Sequence, residues 1–128
     1  MSSLIKFFKL WFPVIIWVGL IFCLSSIPNL KTSLEYDFIL RKIAHAVEYF
    51  ILTFLLYRAF KGSFNMDIFQ FFIYPATLSF FYAVSDEFHQ SFVSSRSASI
   101  RDVLIDTIGI LGFYIVIKIF AVNSKSEK

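Results

Sequence analysis

The chain has 128 residues, of which 58% are hydrophobic and only 16% charged, and Phe alone fills 18 positions. One soluble domain of this size cannot bury so much apolar surface, so composition excludes a soluble globular protein and points to a single small membrane domain, residues 1–128, with several spans. The net charge of +3 comes from Lys and Arg scattered between apolar runs, a pattern that speaks of membrane topology and not of nucleic-acid binding.

Four apolar runs are each near the roughly 20 residues that cross a bilayer core. They fall at about residues 10–27, 41–60, 68–93 and 103–122. The first follows Lys6 and Lys9, as a secretion signal would, but its apolar run is longer than a signal needs and "CLSSIP" is a poor cleavage site. It is expected to be retained as a helix. Cys23, inside this run, has no second cysteine to pair with. The second run ends at Lys61-Gly62, and the third contains Pro75, where a kink is expected.

Lys and Arg set the expected orientation. Lys6, Lys9, Arg58, Lys61, Lys118, Lys125 and Lys128 fall on one side, against Lys31, Arg41, Lys42, Arg96 and Arg101 on the other. The bias places both termini in the cytoplasm and makes the protein an all-α, four-helix membrane protein. It also leaves Arg41, Lys42, Arg96 and Arg101 at the outer face, against the rule.

The polar residues within these runs are not randomly placed. An ionisable side chain in the bilayer costs about 2.5–3.5 kcal/mol on insertion scales, so such groups face the bundle interior and mark function. At about 100° per residue, Arg41, His45 and Glu48 form one stripe on the second helix, and Lys42 and Tyr49 an adjoining one. On the third helix Tyr82, Asp86, His89, Gln90 and Val93 share a face, with Glu87 turned about 100° away. Asp102, Asp106, Gly109 and Phe113 line up on the fourth. All lie at similar depth, in the outer half of the membrane, so they are expected to surround one outward-facing polar cavity. Asp67, Lys61 and the tail lysines read as interfacial or solvated charges, and Gly109 and Gly112 as packing notches.

Three chemistries suit such a set. His45-x-x-Glu48 and Asp86-x-x-His89 each place imidazole beside carboxylate, which suits a divalent metal, although nothing in the sequence requires a cofactor. Arg41, Arg96 and Arg101 suit lipid or pyrophosphate anions, with Arg96 and Asp102 the pair expected to act together. Acid–base catalysis would use His45 or His89, oriented by Glu48 or Asp86. "SRSASIRD" is similar to the Ser-Arg stretch of membrane lipid phosphatases, but Asp102 stands where their histidine nucleophile belongs. The plainest alternative is that these groups only join helices, at about 0.6 kcal/mol each.

"IFCLSSIP", "RKIAHAVEYFIL" and "SDEFHQSFVSSRSASIRDVLIDTIGILG" together resemble the VanZ-like family of small bacterial membrane proteins, over about residues 10–115. The resemblance implicates Ser25, Ser26, Pro28, Arg41, Lys42, His45, Glu48, Tyr49, Asp86, Glu87, His89, Gln90, Arg96, Asp102, Gly109 and Gly112. Two departures are Ser94-Ser95, where Pro-Gly is common, and Asp106, where Asn is usual. The family is named for members associated with teicoplanin resistance. Taken with the outer cluster of Arg and carboxylates, the resemblance leads to the expectation of a cell-envelope protein that contributes to lipoglycopeptide resistance by binding an anionic lipid or lipid-linked wall precursor in its outward cavity. The rival expectation is an intramembrane, metal-assisted hydrolase or transferase acting on a lipid through His45, Glu48, Asp86, Glu87 and His89. Protein partners and oligomeric state are not legible.

Overall fold

The structure is a computed structural model that describes residues 2–27, 37–93 and 99–127. Among these residues there are helices and no strands: α1 (Ser3–Ser26), α2 (Asp37–Ser63), α3 (Ile68–Gln90) and α4 (Ile100–Ser126). α1, α3 and α4 are each long and apolar enough to cross a membrane. α2 lies at the centre, against all three of the others and most extensively against α4, while α1 and α4 do not meet among the described residues.

Helix ends differ from the apolar runs for physical reasons. The 24 residues of α1 rise about 36 Å, more than a hydrocarbon core of about 30 Å, so the helix starts at Ser3 and carries Lys6 and Lys9 beyond the apolar window. Ser2 caps it, its hydroxyl accepting the Ile5 amide N–H at 3.3 Å. α3 starts with a reciprocal box in which Asp67 accepts from the Gln70 amide at 2.8 Å and Gln70 Oε1 accepts from the Asp67 amide at 3.1 Å. Asp67 therefore has a definite role beyond that of a solvated charge. α3 ends at Gln90 and not at residue 93, because residues 91–93 turn away and bond back to the last carbonyls.

α3 runs unbroken through Pro75. A proline lacks the N–H that would bond the carbonyl four residues back, here Phe71, and in lipid such a carbonyl needs another donor nearby. The Tyr114 hydroxyl of α4 supplies one to this turn, donating to the Phe72 carbonyl at 2.7 Å and lying 3.5 Å from that of Phe71. Thr53 ties α2 to α3 in the same manner, donating within its own helix to Tyr49 and lying 3.0 Å from the Ser79 hydroxyl.

The core joins Val14 and Ile21 of α1, Tyr49, Leu52, Leu56 and Ala59 of α2, Ala83 of α3 and Ile110 of α4. Phe12, Phe81, Ile108 and Phe120 point outward and are highly exposed, the arrangement of a bundle whose outer solvent is lipid.

α2 and α4 run parallel and pack backbone to backbone at Gly109. A Cβ built there would lie 2.0 Å from the Ala46 carbonyl oxygen, whereas one at Gly112 would sit at an ordinary 3.8 Å from the Phe50 ring. Only Gly109 is thus a notch that the packing requires. Gly109→Ala is expected to force the two helices apart at a cost of about 1–3 kcal/mol, while Gly112→Ala stays near the parent. Thermal unfolding of the purified proteins in one detergent measures both, and equal stabilities would remove the notch from this account.

Candidate functional site

The C-terminal ends of α1 and α3 and the N-terminal ends of α2 and α4 lie at one end of the bundle, and the polar side chains collect there. Four carboxylates are held, each by a different partner. Asp86 of α3 accepts from the Ser25 hydroxyl of α1 and lies 3.4 Å from the Gln90 side-chain nitrogen, which in turn donates to Ser25 at 3.2 Å. Asp102, in the first turn of α4, is ion-paired with Lys42 of α2. Asp106, one turn deeper and 0% exposed, takes the Nδ1 of His45 at 3.2 Å. Glu87 is turned from the Asp86 face, as helical geometry requires, and receives the Ser99 backbone N–H at the start of α4 at 2.8 Å.

Partly satisfied atoms sit between these pairs. Among the described residues the second oxygens of Asp106 and Glu87 and the His89 Nδ1 are buried without a hydrogen-bond partner. The buried Tyr49 side chain lies near Asp86 and Asp106. His89 stacks on the Phe22 ring at 4.5 Å, with its Nε2 3.4 Å from the Ser26 hydroxyl. A buried unpaired polar atom costs about 1–3 kcal/mol, so several in one place mark a centre that stability alone does not account for.

Beside the centre lies a cavity of about 60 Å³ lined by Leu24, Ser25, Arg41, Ala44, His45, Glu48 and Gln90. At about 30 Å³ per liquid water, it holds about two waters or one small ionic group. Side chains from α1, α2 and α3 form its wall, while Asp102 and Asp106 of α4 stand behind it and hold Lys42 and His45.

The structure brings together Arg41, Lys42, His45, Glu48, Tyr49, Asp86, Glu87, His89, Gln90, Asp102 and Asp106 at this end. Arg96, with the expected Arg96–Asp102 pair and the Ser94-Ser95 turn, lies outside the described residues; the partner observed for Asp102 is Lys42. The observed orienter of His45 is Asp106, not Glu48 or Asp86. Neither assignment follows from one helix's periodicity, because each joins α2 to α4. Among the described residues no three His, Cys, Asp or Glu side chains are arranged to hold a metal ion. The two His-carboxylate spacings thus do not converge on a shared metal position there.

Apolar spans around an enclosed polar cluster define a multi-pass membrane protein. The chain matches the VanZ/LLP1 family model over residues 7–121 and belongs to that family. It is 38% identical over 95 residues to an uncharacterized membrane protein, YwnJ, of Bacillus subtilis strain 168, an alignment covering 68% of this chain and 61% of that protein. The chain thus spans about three fifths of the length of the curated relative it matches. No solved structure matches it.

A double-mutant cycle tests the α2–α4 pairing. Lys42→Met and Asp102→Leu are each expected to destabilise by removing one side of this pair, and the double variant to recover part of the loss, with a coupling of about 1–3 kcal/mol. Additive losses in denaturant titrations of the four proteins would show that the pair carries no coupling.

Proposed function

We propose that the protein is a four-span envelope protein with both termini in the cytoplasm, and that its cavity takes the anionic headgroup of a membrane lipid or lipid-linked wall precursor. The observation that carries this reading is the placement of Arg41, with Ser25 and Gln90, on the wall of a small polar cavity at one end of an apolar bundle. A guanidinium at that depth suits phosphate oxygens, which it can meet with paired N–H groups. The cavity has room for the phosphate of a headgroup and leaves the rest of the headgroup and the acyl or prenyl chains outside, the chains against Phe and Ile side chains that already face lipid. α2 spans in this reading because its centre is packed between helices that are themselves long and apolar enough to cross. The Lys and Arg bias supports the orientation, and puts the cavity in the outer leaflet where wall precursors and lipoglycopeptides meet the cell. Occupancy of the precursor headgroup would alter drug access, which is how the family's association with teicoplanin resistance would extend to this chain.

Binding is measured through Trp17, whose indole N–H donates to the Glu48 backbone carbonyl at 2.9 Å beside the cavity. In a Trp11→Phe background, phosphatidylglycerol added to detergent-solubilised protein is expected to change Trp17 emission, and Arg41→Ala to weaken the apparent affinity about tenfold. An unchanged titration in well-folded Arg41→Ala would overturn the headgroup assignment. Teicoplanin susceptibility of a host expressing the parent or Arg41→Ala protein tests the resistance role, which fails if neither differs from a host lacking the protein. In a Cys23→Ser background, single cysteines at Ser3 and Ser126 are expected to react with a membrane-impermeant thiol reagent only after permeabilisation. Labelling of either in intact cells contradicts the orientation.

A further inference from the structure

His45 occupies two environments at once. It lines the cavity, and its Nδ1 is held at 3.2 Å by the fully buried carboxylate of Asp106. The ring nitrogen that Asp106 does not engage is Nε2. A carboxylate on Nδ1 fixes the ring orientation, selects the tautomer with the proton on Nδ1, and stabilises the imidazolium that forms when Nε2 takes a proton. Arg41, one turn earlier on the same helix, lines the same space.

Stability does not explain the pair. A buried pair of this kind is worth little compared with apolar residues of the same volume, and the second Asp106 oxygen has no hydrogen-bond partner among the described residues. Asp106 comes from α4, outside the cavity wall, so its service to the cavity passes through His45 alone.

We propose that the cavity is catalytic: His45 is the general acid–base of a hydrolase acting on the phosphodiester of a lipid headgroup, with Asp106 as its positioning residue. The proposal rests on the headgroup-binding reading and needs no metal, oxidant or further cofactor. A water in the cavity gives its proton to His45 Nε2 as its oxygen bonds to phosphorus. The bond from phosphorus to the headgroup alcohol breaks, and the imidazolium returns the proton to the departing alkoxide. One water is consumed, and a phosphomonoester and an alcohol are released. Arg41 faces the charge on the non-bridging oxygens throughout.

The test uses full-length protein in mixed micelles with phosphatidylglycerol, phosphatidylethanolamine or cardiolipin, followed by phosphorus NMR for conversion of phosphodiester to phosphomonoester, with Trp17 emission reporting binding in the same samples. The parent protein is expected to convert at least one of these lipids. His45→Gln, which keeps a donor toward Asp106, is expected to lose about 100-fold or more in turnover while binding persists. Asp106→Asn is expected to lower kcat with KM little changed, and Asp106→Glu to restore part of it, a split that general loosening of the fold would not produce. Binding without phosphomonoester from any of the three lipids, or full turnover in His45→Gln, overturns the proposal and leaves headgroup binding standing. Absence of both binding and turnover overturns both readings.

Discussion

Close approach of α2 and α4 at Ala46 and Gly109 is the constraint on which the polar end of the molecule depends. Two helices bring backbones together only where a side chain is missing, and a Cβ at Gly109 would collide with the Ala46 carbonyl. With that contact made, side chains that ordinary helix spacing would keep apart come into reach: His45 meets Asp106 and, one turn nearer the helix ends, Lys42 meets Asp102. Because the two helices are parallel, both present N-terminal ends on this side, and the partial positive charge there favours the carboxylates gathered beside it.

The four carboxylates also make assembly collective. Asp86 is satisfied by α1 and its own helix, Glu87 by the backbone of α4, and Asp102 and Asp106 by α2. Inserted alone, α3 or α4 would leave two of these groups facing lipid, and α2 its Lys42 and His45, at the cost attached to ionisable residues in hydrocarbon. The apolar contacts give the helices little preference for one another over lipid tails, so these polar pairs and the glycine notch supply much of the specificity of the bundle. The same groups border the cavity, so assembling the fold and forming the site are one event.

Helical periodicity made much of this legible in advance. Arg41, His45 and Glu48 do line one cavity, Asp86 and Gln90 are buried together, Glu87 is turned aside, and Gly109 is a notch. What periodicity cannot supply is rotation and depth of one helix relative to another. That is why the pairing of Asp102 with Lys42 and the hold of Asp106 on His45, each joining α2 to α4, are not legible from one helix alone. Ser25 and Ser26 carry no charge and little periodic signal, and only the family resemblance singled them out before α1 was seen to close the cavity. The ends of α1 and α3 moved for a different reason: hydropathy marks the hydrocarbon layer, while hydrogen bonding and capping mark the helix.

α1 is fastened in a way that leaves an imprint on which substitutions the molecule tolerates. The Trp17 indole reaches the backbone carbonyl of Glu48, and the Tyr82 hydroxyl reaches that of Val18 at 2.7 Å. A carbonyl is the same acceptor whatever side chain its residue bears. The register of α1 against α2 and α3 therefore rests in part on two aromatic donors whose acceptors dictate no side chain, beside side-chain bonds such as Trp11 to Ser63 and Ser25 to Asp86. Glu48 in particular can change its side chain to suit a different occupant of the cavity without unfastening the helix that closes it, so the lock and the binding surface can diverge independently.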